Sequence, residues 1–229
     1  MPRAYAEARR ARALLQWLAV RARSAVRPVD TYDDAFWDSH SGGDWAGLAD
    51  TVVALAAPRS VIDVGCGQGL LLEALKARHP LVRRAGLESS PDAIRRARAR
   101  GLDITCVDLA FLARRSAKVA AALVNGFDLA VCLETAEHLP PWSASPLVHV
   151  LTRAPMVLFS AAPPGQGGTS HINEQPHEYW RKRFVKEGFD LDRGDDALRS
   201  AVARLDLPWW YAANIHLYSR RPTDVVGSL

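Results

Sequence analysis

Cysteine is scarce in this 229-residue sequence. Cys66, Cys106 and Cys132 stand far apart with no CxxC pair, which excludes a disulfide-stapled scaffold, suggests no zinc site and fits a reduced, cytoplasmic setting. Long apolar runs are missing as well. None approaches the roughly eighteen residues of a membrane span, so no bilayer-crossing segment is expected. No internal repeat and no domain-separating linker divides the chain. Excess charge is confined to one end: the formal net charge is +4, but residues 1–30 carry seven Arg against Glu7 and Asp30, leaving 22 basic and 23 acidic side chains over residues 31–229. A near-neutral body of that size generates no extended field for phosphate steering, so nucleic acid is not the expected partner. What is present, 48% hydrophobic and 24% charged residues, suits an ordered globular protein.

Residues 1–30 place Leu14, Leu15, Trp17, Leu18 and Val20 among arginines at helical spacing. They form a basic amphipathic helix in this reading, packed on the domain or touching a membrane surface or partner. From residue 58 short β-branched runs alternate with helical patterns, the signature of βαβ units and a parallel sheet. Strands are expected at 60–64, 84–88, 103–108, 127–133 and 156–160. Helices are expected over about 69–78, 91–100 and 176–187. Ser90, Pro91 and Gly101 mark both ends of the second helix. A further strand is expected at 214–219.

The decisive segment is Val61-Ile-Asp-Val-Gly-Cys-Gly-Gln-Gly-Leu70, whose glycines at 65, 67 and 69 follow a strand and open a helix. Glycine there lets the backbone turn sharply and a ligand approach closely. A dinucleotide fingerprint wants its third Gly or Ala at position 70, where this chain has Leu, which counts against NAD. Glu88 ends the second strand, 21 residues beyond Gly67, where a carboxylate suits a ribose diol; Asp108 ends the third, within reach of an adenine edge. Three successive strand ends thus carry acids, beginning with Asp63.

These motifs resemble those of the class I S-adenosylmethionine-dependent methyltransferases. DVGCGQG (63–69) looks like their glycine motif, LESS (87–90) like their ribose acid, VDLA (107–110) like their adenine site, and LETAEHLP (133–140) like the segment after their fourth strand. The resemblance implies a Rossmann-like α/β fold: a seven-stranded, mostly parallel sheet with helices on both faces and an antiparallel last strand, in one methyltransferase domain over residues 31–229. It implies S-adenosylmethionine as cofactor, held by Asp63, Gly65, Cys66, Gly67, Glu88, Ser89, Asp108, Leu109 and Glu134. The chemistry agrees. The cofactor has no phosphate and carries a positive sulfonium, and the glycine loop has no basic residue while the strand ends are acidic.

Methyl transfer is an in-line displacement, so the protein supplies alignment and, for an alcohol, a proton acceptor. His138 and His171 are the catalytic candidates, each with a structural histidine as the bland alternative; His177 is more readily structural. In one helical turn Glu134, Glu137 and His138 would share a face and, with His171, offer ligands to a hard cation such as magnesium. ExxEH with a later His resembles the metal site of some ubiquinone-pathway O-methyltransferases and of small-RNA 3′-end 2′-O-methyltransferases. EH after the fourth strand also occurs widely in methyltransferases that use no metal. Trp180 and Phe184, four apart, are expected in the core.

The acceptor is expected on loop 163–177, with Asn173 and Glu174 facing it, and against Trp209, Trp210 and Tyr211, three successive large rings before a strand that cannot all point inward. Trp37, with Tyr32 and Phe36, sits where the family places a lid. The expected activity is O-methylation of a small-molecule acceptor of bacterial secondary or sugar metabolism. N-methylation, a metal-dependent RNA 3′-end 2′-O-methyltransferase and a non-catalytic cofactor-binding module are the alternatives.

Overall fold

The computed structural model describes residues 32–111 and 115–222. The basic helix expected over 1–30 lies outside them. In chain order the elements are α1 (Asp34–Ser39), α2 (Trp45–Ala56), β1 (Ser60–Val64), α3 (Leu70–Arg78), β2 (Arg83–Glu88), α4 (Pro91–Ala99), β3 (Ile104–Cys106), α5 (Arg115–Val124), β4 (Leu129–Cys132), α6 (Ala144–Leu151), β5 (Met156–Phe159), α7 (His177–Lys186), β6 (Phe189–Leu191), α8 (Asp195–Val202), α9 (Trp209–Asn214) and β7 (His216–Arg220). Among the described residues, no helix is long and apolar enough to cross a membrane.

The strands form one sheet in the order β3-β2-β1-β4-β5-β7-β6. All neighbouring pairs from β3 to β5 are parallel, and β7 runs antiparallel to both β5 and β6. The chain reverses its direction of travel across the sheet between β1 and β4. That switch point is where open α/β sheets bind ligands, beyond the carboxyl ends of the strands.

Both faces of the central strands are covered, which is why β1 and β4 are buried throughout. The pleat sends alternate residues into two cores. Ile62, Val64, Ala130 and Cys132 meet Leu147, Leu151, Trp180 and Phe184 on one face. Val61, Leu129 and Val131 meet Leu48, Val52, Leu72, Leu75, Ile94 and Leu198 on the other. Trp180 and Phe184 are core residues, as their spacing predicts, and Phe184 stacks on Tyr218 with ring centroids 4.1 Å apart.

Three segments depart from the sequence reading. Phe189–Leu191 is a strand, too short and too close to a polar stretch to show a period. Trp209, Trp210 and Tyr211 open helix α9 after Pro208, so their side chains fan at about 100° each instead of alternating. Glu134 to His138 is not a helical turn: Glu134 has φ +45° and a 3₁₀ turn covers only Ala136–His138.

Candidate active site

The loop after β1 is shaped by glycine. Gly65 and Gly67 have φ of +80° and +53°, in the left-handed region that penalises a side chain. A Cβ on Gly65 would lie 2.4 Å from Thr135 Cγ2, and one on Gly67 would meet the Trp37 ring at 3.0 Å. Glu88 fixes the loop from β2. Its Oε2 accepts from Gly67 N at 2.8 Å, and Oε1 accepts from Ser89 N and Ser90 N at 2.6 and 2.8 Å. Asp63, buried in β1, is pushed up to about 7 by burial and then by the Glu88 charge. Its environment favours a positive ligand group.

The other wall is built after β4. The Glu134 amide is held by Ser160, and the Glu134 carboxylate accepts from Gln166 Nε2 at 3.0 Å and Asn214 Nδ2 at 3.1 Å. Asn214 Nδ2 also donates to Gln166 Oε1 at 2.8 Å, closing a ring of three side chains that joins β4, the 163–168 loop and α9. Glu137 is fully buried, and among the described residues neither carboxyl oxygen makes a hydrogen bond. Burial first, then the neighbouring Glu134 charge, pushes its pKa well above the carboxylate range. Desolvation, with His171 adding to it, brings His138 down to about 4, so its ring is neutral at pH 7. The His138 and His171 rings meet edge to face at 4.8 Å, and Glu174 Oε1 lies 3.0 Å from His171 Nδ1.

Between these walls lies a cavity of about 440 Å³. It is lined by Asp63, Gly65, Cys66, Gly67, Glu88, Ser89 and Leu109 on the β1 side and by Glu134, Glu137, His138 and His171 on the β4 side. Trp37 and Trp210 belong to its aromatic rim, with Tyr32, Phe36, Trp45, Trp209 and Tyr211. Among the described residues no lysine or arginine lines it. A pyrophosphate would meet no cation among the described residues, whereas a cationic, phosphate-free nucleoside finds acids, a glycine cradle and apolar rings. S-adenosylmethionine fits that description.

Several expected site residues lie elsewhere. Asp108 is off the cavity wall, where its Oδ1 accepts from Ala110 N at 3.0 Å and caps a short turn. Asn173 is buried behind the site, and its backbone amide, like that of Ile172, donates to the Glu137 carbonyl. Glu174 is turned into its own loop, accepting from Gly165 N and Gly167 N at 2.8 Å and facing His171. Neither side chain lines the cavity; both brace the loop 163–175 from within. Glu134 is committed to Gln166 and Asn214, and among the described residues the group able to hold a metal is Glu137, His138 and His171, with ligand atoms within 4.8 Å of one another. The orphaned Glu137 carboxylate supports a cation there. One carboxylate and two imidazoles suit manganese, iron or zinc better than magnesium, which prefers an all-oxygen shell. Gln166, Asn214 and Gln68 were not singled out by sequence reasoning, although Gln68 and Gln166 both stand among glycines.

Residues 62–153 match the family model described as a methyltransferase domain. The ubiquinone biosynthesis O-methyltransferase of Azotobacter vinelandii is 33% identical over 161 residues, 69% of this chain; the match spans 64% of that enzyme's length. Among solved structures, the sugar N-methyltransferase KedS8 of Streptoalloteichus sp ATCC 53650 superposes with a TM-score of 0.57 at 16% identity, covering 82% of this chain and 92% of that one. The methyltransferase domain of a bacterial Hen1, CtHen1-C, gives 0.53 at 19%, covering 78% and 99%. The matched segment contains the whole glycine cradle and the turn that carries Glu137 and His138: residues 62–153 carry a methyltransferase domain, and the chain has the Rossmann-like fold of S-adenosylmethionine-dependent methyltransferases.

Proposed function

We propose that the chain is an S-adenosylmethionine-dependent methyltransferase that methylates an oxygen of a small hydroxylated acceptor. The observation that carries this reading is one cavity in which an acidic glycine cradle faces a buried carboxylate–imidazole cluster. The cofactor supplies an electrophilic methyl on a positive sulfonium. Gly65, Cys66 and Gly67 admit it, Glu88 with Ser89 orders the ribose side, Leu109 offers an apolar contact and Asp63 favours its positive charge.

The opposite wall does what an alcohol or phenol needs. A hydroxyl must lose a proton before or during attack, whereas a neutral amine carries its own lone pair, so Glu137, His138 and His171 favour oxygen over nitrogen. His138 and His171 serve this reading as proton acceptors, or all three as the holders of a divalent ion, which when bound would lower the pKa of a hydroxyl. The relative of Azotobacter vinelandii is by its name an O-methyltransferase of ubiquinone biosynthesis, which favours the same atom. The apolar rim, Trp210 above all, suits a ring-bearing acceptor. A non-catalytic module would have no use for a buried carboxyl without a donor, which costs stability. An RNA end would meet no cation among the described residues that line this cavity.

The test uses S-adenosylmethionine labelled in its methyl group with 3,4-dihydroxybenzoate, with a dimethoxy analogue and with an amino-sugar acceptor. Label is expected only on the dihydroxy acid, as an ether. Transfer to the amine alone would overturn the oxygen assignment, and absence of S-adenosylhomocysteine binding would overturn the cofactor.

A further inference from the structure

The short helix α1 lies across the cavity mouth but has no buried residue of its own. Its attachment is therefore polar and aromatic, and it reaches both walls. On the cofactor side Arg96 of α4 pairs through NH2 with Asp34 Oδ1 at 2.5 Å and through NH1 with Asp38 Oδ1 at 2.8 Å, and Arg95 NH2 meets Asp34 at 3.3 Å. Gln68, inside the glycine loop, donates from Nε2 to the Trp37 carbonyl at 2.7 Å, while the Trp37 ring lies over Gly67. On the acceptor side, just before α1, the Tyr32 hydroxyl and His138 Nδ1 share a hydrogen bond of 3.0 Å, with the two rings edge to face. Residues 32–40 thus touch the cradle with one side chain and the carboxylate–imidazole cluster with another.

We propose that Tyr32 is a positioning residue whose hydrogen bond to His138 couples closure of the 32–40 segment over the cofactor to the orientation of that imidazole. The inference rests on the cofactor reading above. An imidazole with one nitrogen engaged is held in one ring orientation and tautomer, and losing that partner frees both. The Asp34 and Asp38 carboxylates are 67% and 70% exposed, so each ion pair is individually weak and screened by salt. The segment is a strap held by several small contacts. Cofactor binding under Trp37 adds the contact that keeps it shut, and Tyr32 carries that event across to His138.

The test needs no acceptor. The full chain is labelled at histidine Cε1, the His138 resonance is assigned by its loss in His138→Gln, and S-adenosylhomocysteine is titrated in by NMR and by calorimetry. In the wild-type protein the His138 resonance moves with the calorimetric Kd. In Tyr32→Phe, which keeps the ring and removes no core contact, that shift falls to less than about half while Kd changes by less than about threefold. In Arg96→Gln the Kd rises about threefold and loses most of its dependence on sodium chloride. An unaltered His138 response in Tyr32→Phe overturns the proposal alone. A wild-type protein that fails to bind S-adenosylhomocysteine overturns the cofactor reading and takes the proposal with it.

Discussion

Gly67 and Glu88 are joined by a 2.8 Å hydrogen bond from the loop amide to Oε2, so the carboxylate at the end of β2 shapes the loop at the end of β1. Its other oxygen holds the Ser89 and Ser90 amides at the entry to α4. Glu88→Ala leaves three backbone donors without their acceptor, at about 1–3 kcal/mol for each that stays buried. The expected result is a lower Tm together with at least a tenfold weaker S-adenosylhomocysteine affinity by calorimetry. Gly67→Val forces a side chain onto the Trp37 ring at a left-handed φ and should lose the ligand as well. Undiminished affinity in both variants would contradict the cradle.

Asp63 gives the cofactor site a pH signature. Its pKa is pushed from an ordinary 3.8 to about 7 in the folded protein, so the native state holds this proton more tightly than the unfolded chain. Its contribution to stability is therefore greatest at low pH and falls as pH rises from about 4 to about 7. Asp63→Asn should flatten that part of the profile in thermal melts. Ligand binding runs the other way. S-adenosylmethionine, with one more positive charge than S-adenosylhomocysteine, should gain affinity relative to it as pH rises through 7, and Asp63→Asn should abolish the gain.

Glu137 separates the two readings of the acceptor wall. Glutamine keeps the shape of this buried side chain and removes the ionisable group, so Glu137→Gln should fold and should melt no lower than wild type at pH 8. If the cluster holds a metal, calorimetry will show manganese binding to the wild type and none to Glu137→Gln or His171→Ala, and EDTA will stop methyl transfer. If it holds a proton instead, EDTA will have no effect, and His138→Ala will lower turnover by about 10²–10⁴ while sparing cofactor affinity.

The order of elements was legible because it rests on local signals. The β-branched run of β1, the short apolar run of β4, the Ser90 cap, Pro91 and Gly101 each act over a few residues, and three glycines between a strand and a helix mark a ligand cradle. That Glu88 meets the glycine loop was legible from its distance to Gly67 along the chain. Asp108 and Glu174 accept from nearby backbone amides, because Asp and Glu beside tight turns find such amides as easily as a ligand, while the buried Asn173 side chain donates to the Ala136 carbonyl and accepts from Gln175. Glu134 illustrates the same limit. A helical period puts it beside Glu137 and His138, yet a left-handed backbone at that residue redirects the side chain to Asn214, 80 positions away. Contacts of that range leave no trace in spacing.

Asn214 tests the polar ring that braces the acceptor loop. It is 2% exposed; Nδ2 donates to Glu134 and Gln166, and Oδ1 lies 3.3 Å from His177 Nε2. Asn214→Ala removes both donors, leaving Glu134 with Gln166 as its remaining partner and the loop fastened on one side. The expected loss is about 1–3 kcal/mol in stability, with faster proteolytic cleavage in the loop 163–168. Asn214→Asp is nearly isosteric, yet it replaces a donor by a second carboxylate facing Glu134. If the amide acts as a donor, Asp must therefore be worse than Ala at pH 8 and must recover at pH 5, where the new group takes up a proton. If the side chain only fills space, Asp will behave like wild type at both pH values and Ala will be the worse variant. S-adenosylhomocysteine affinity should change little in either, since the ring braces the β4 wall while Glu88 and the glycine loop hold the other.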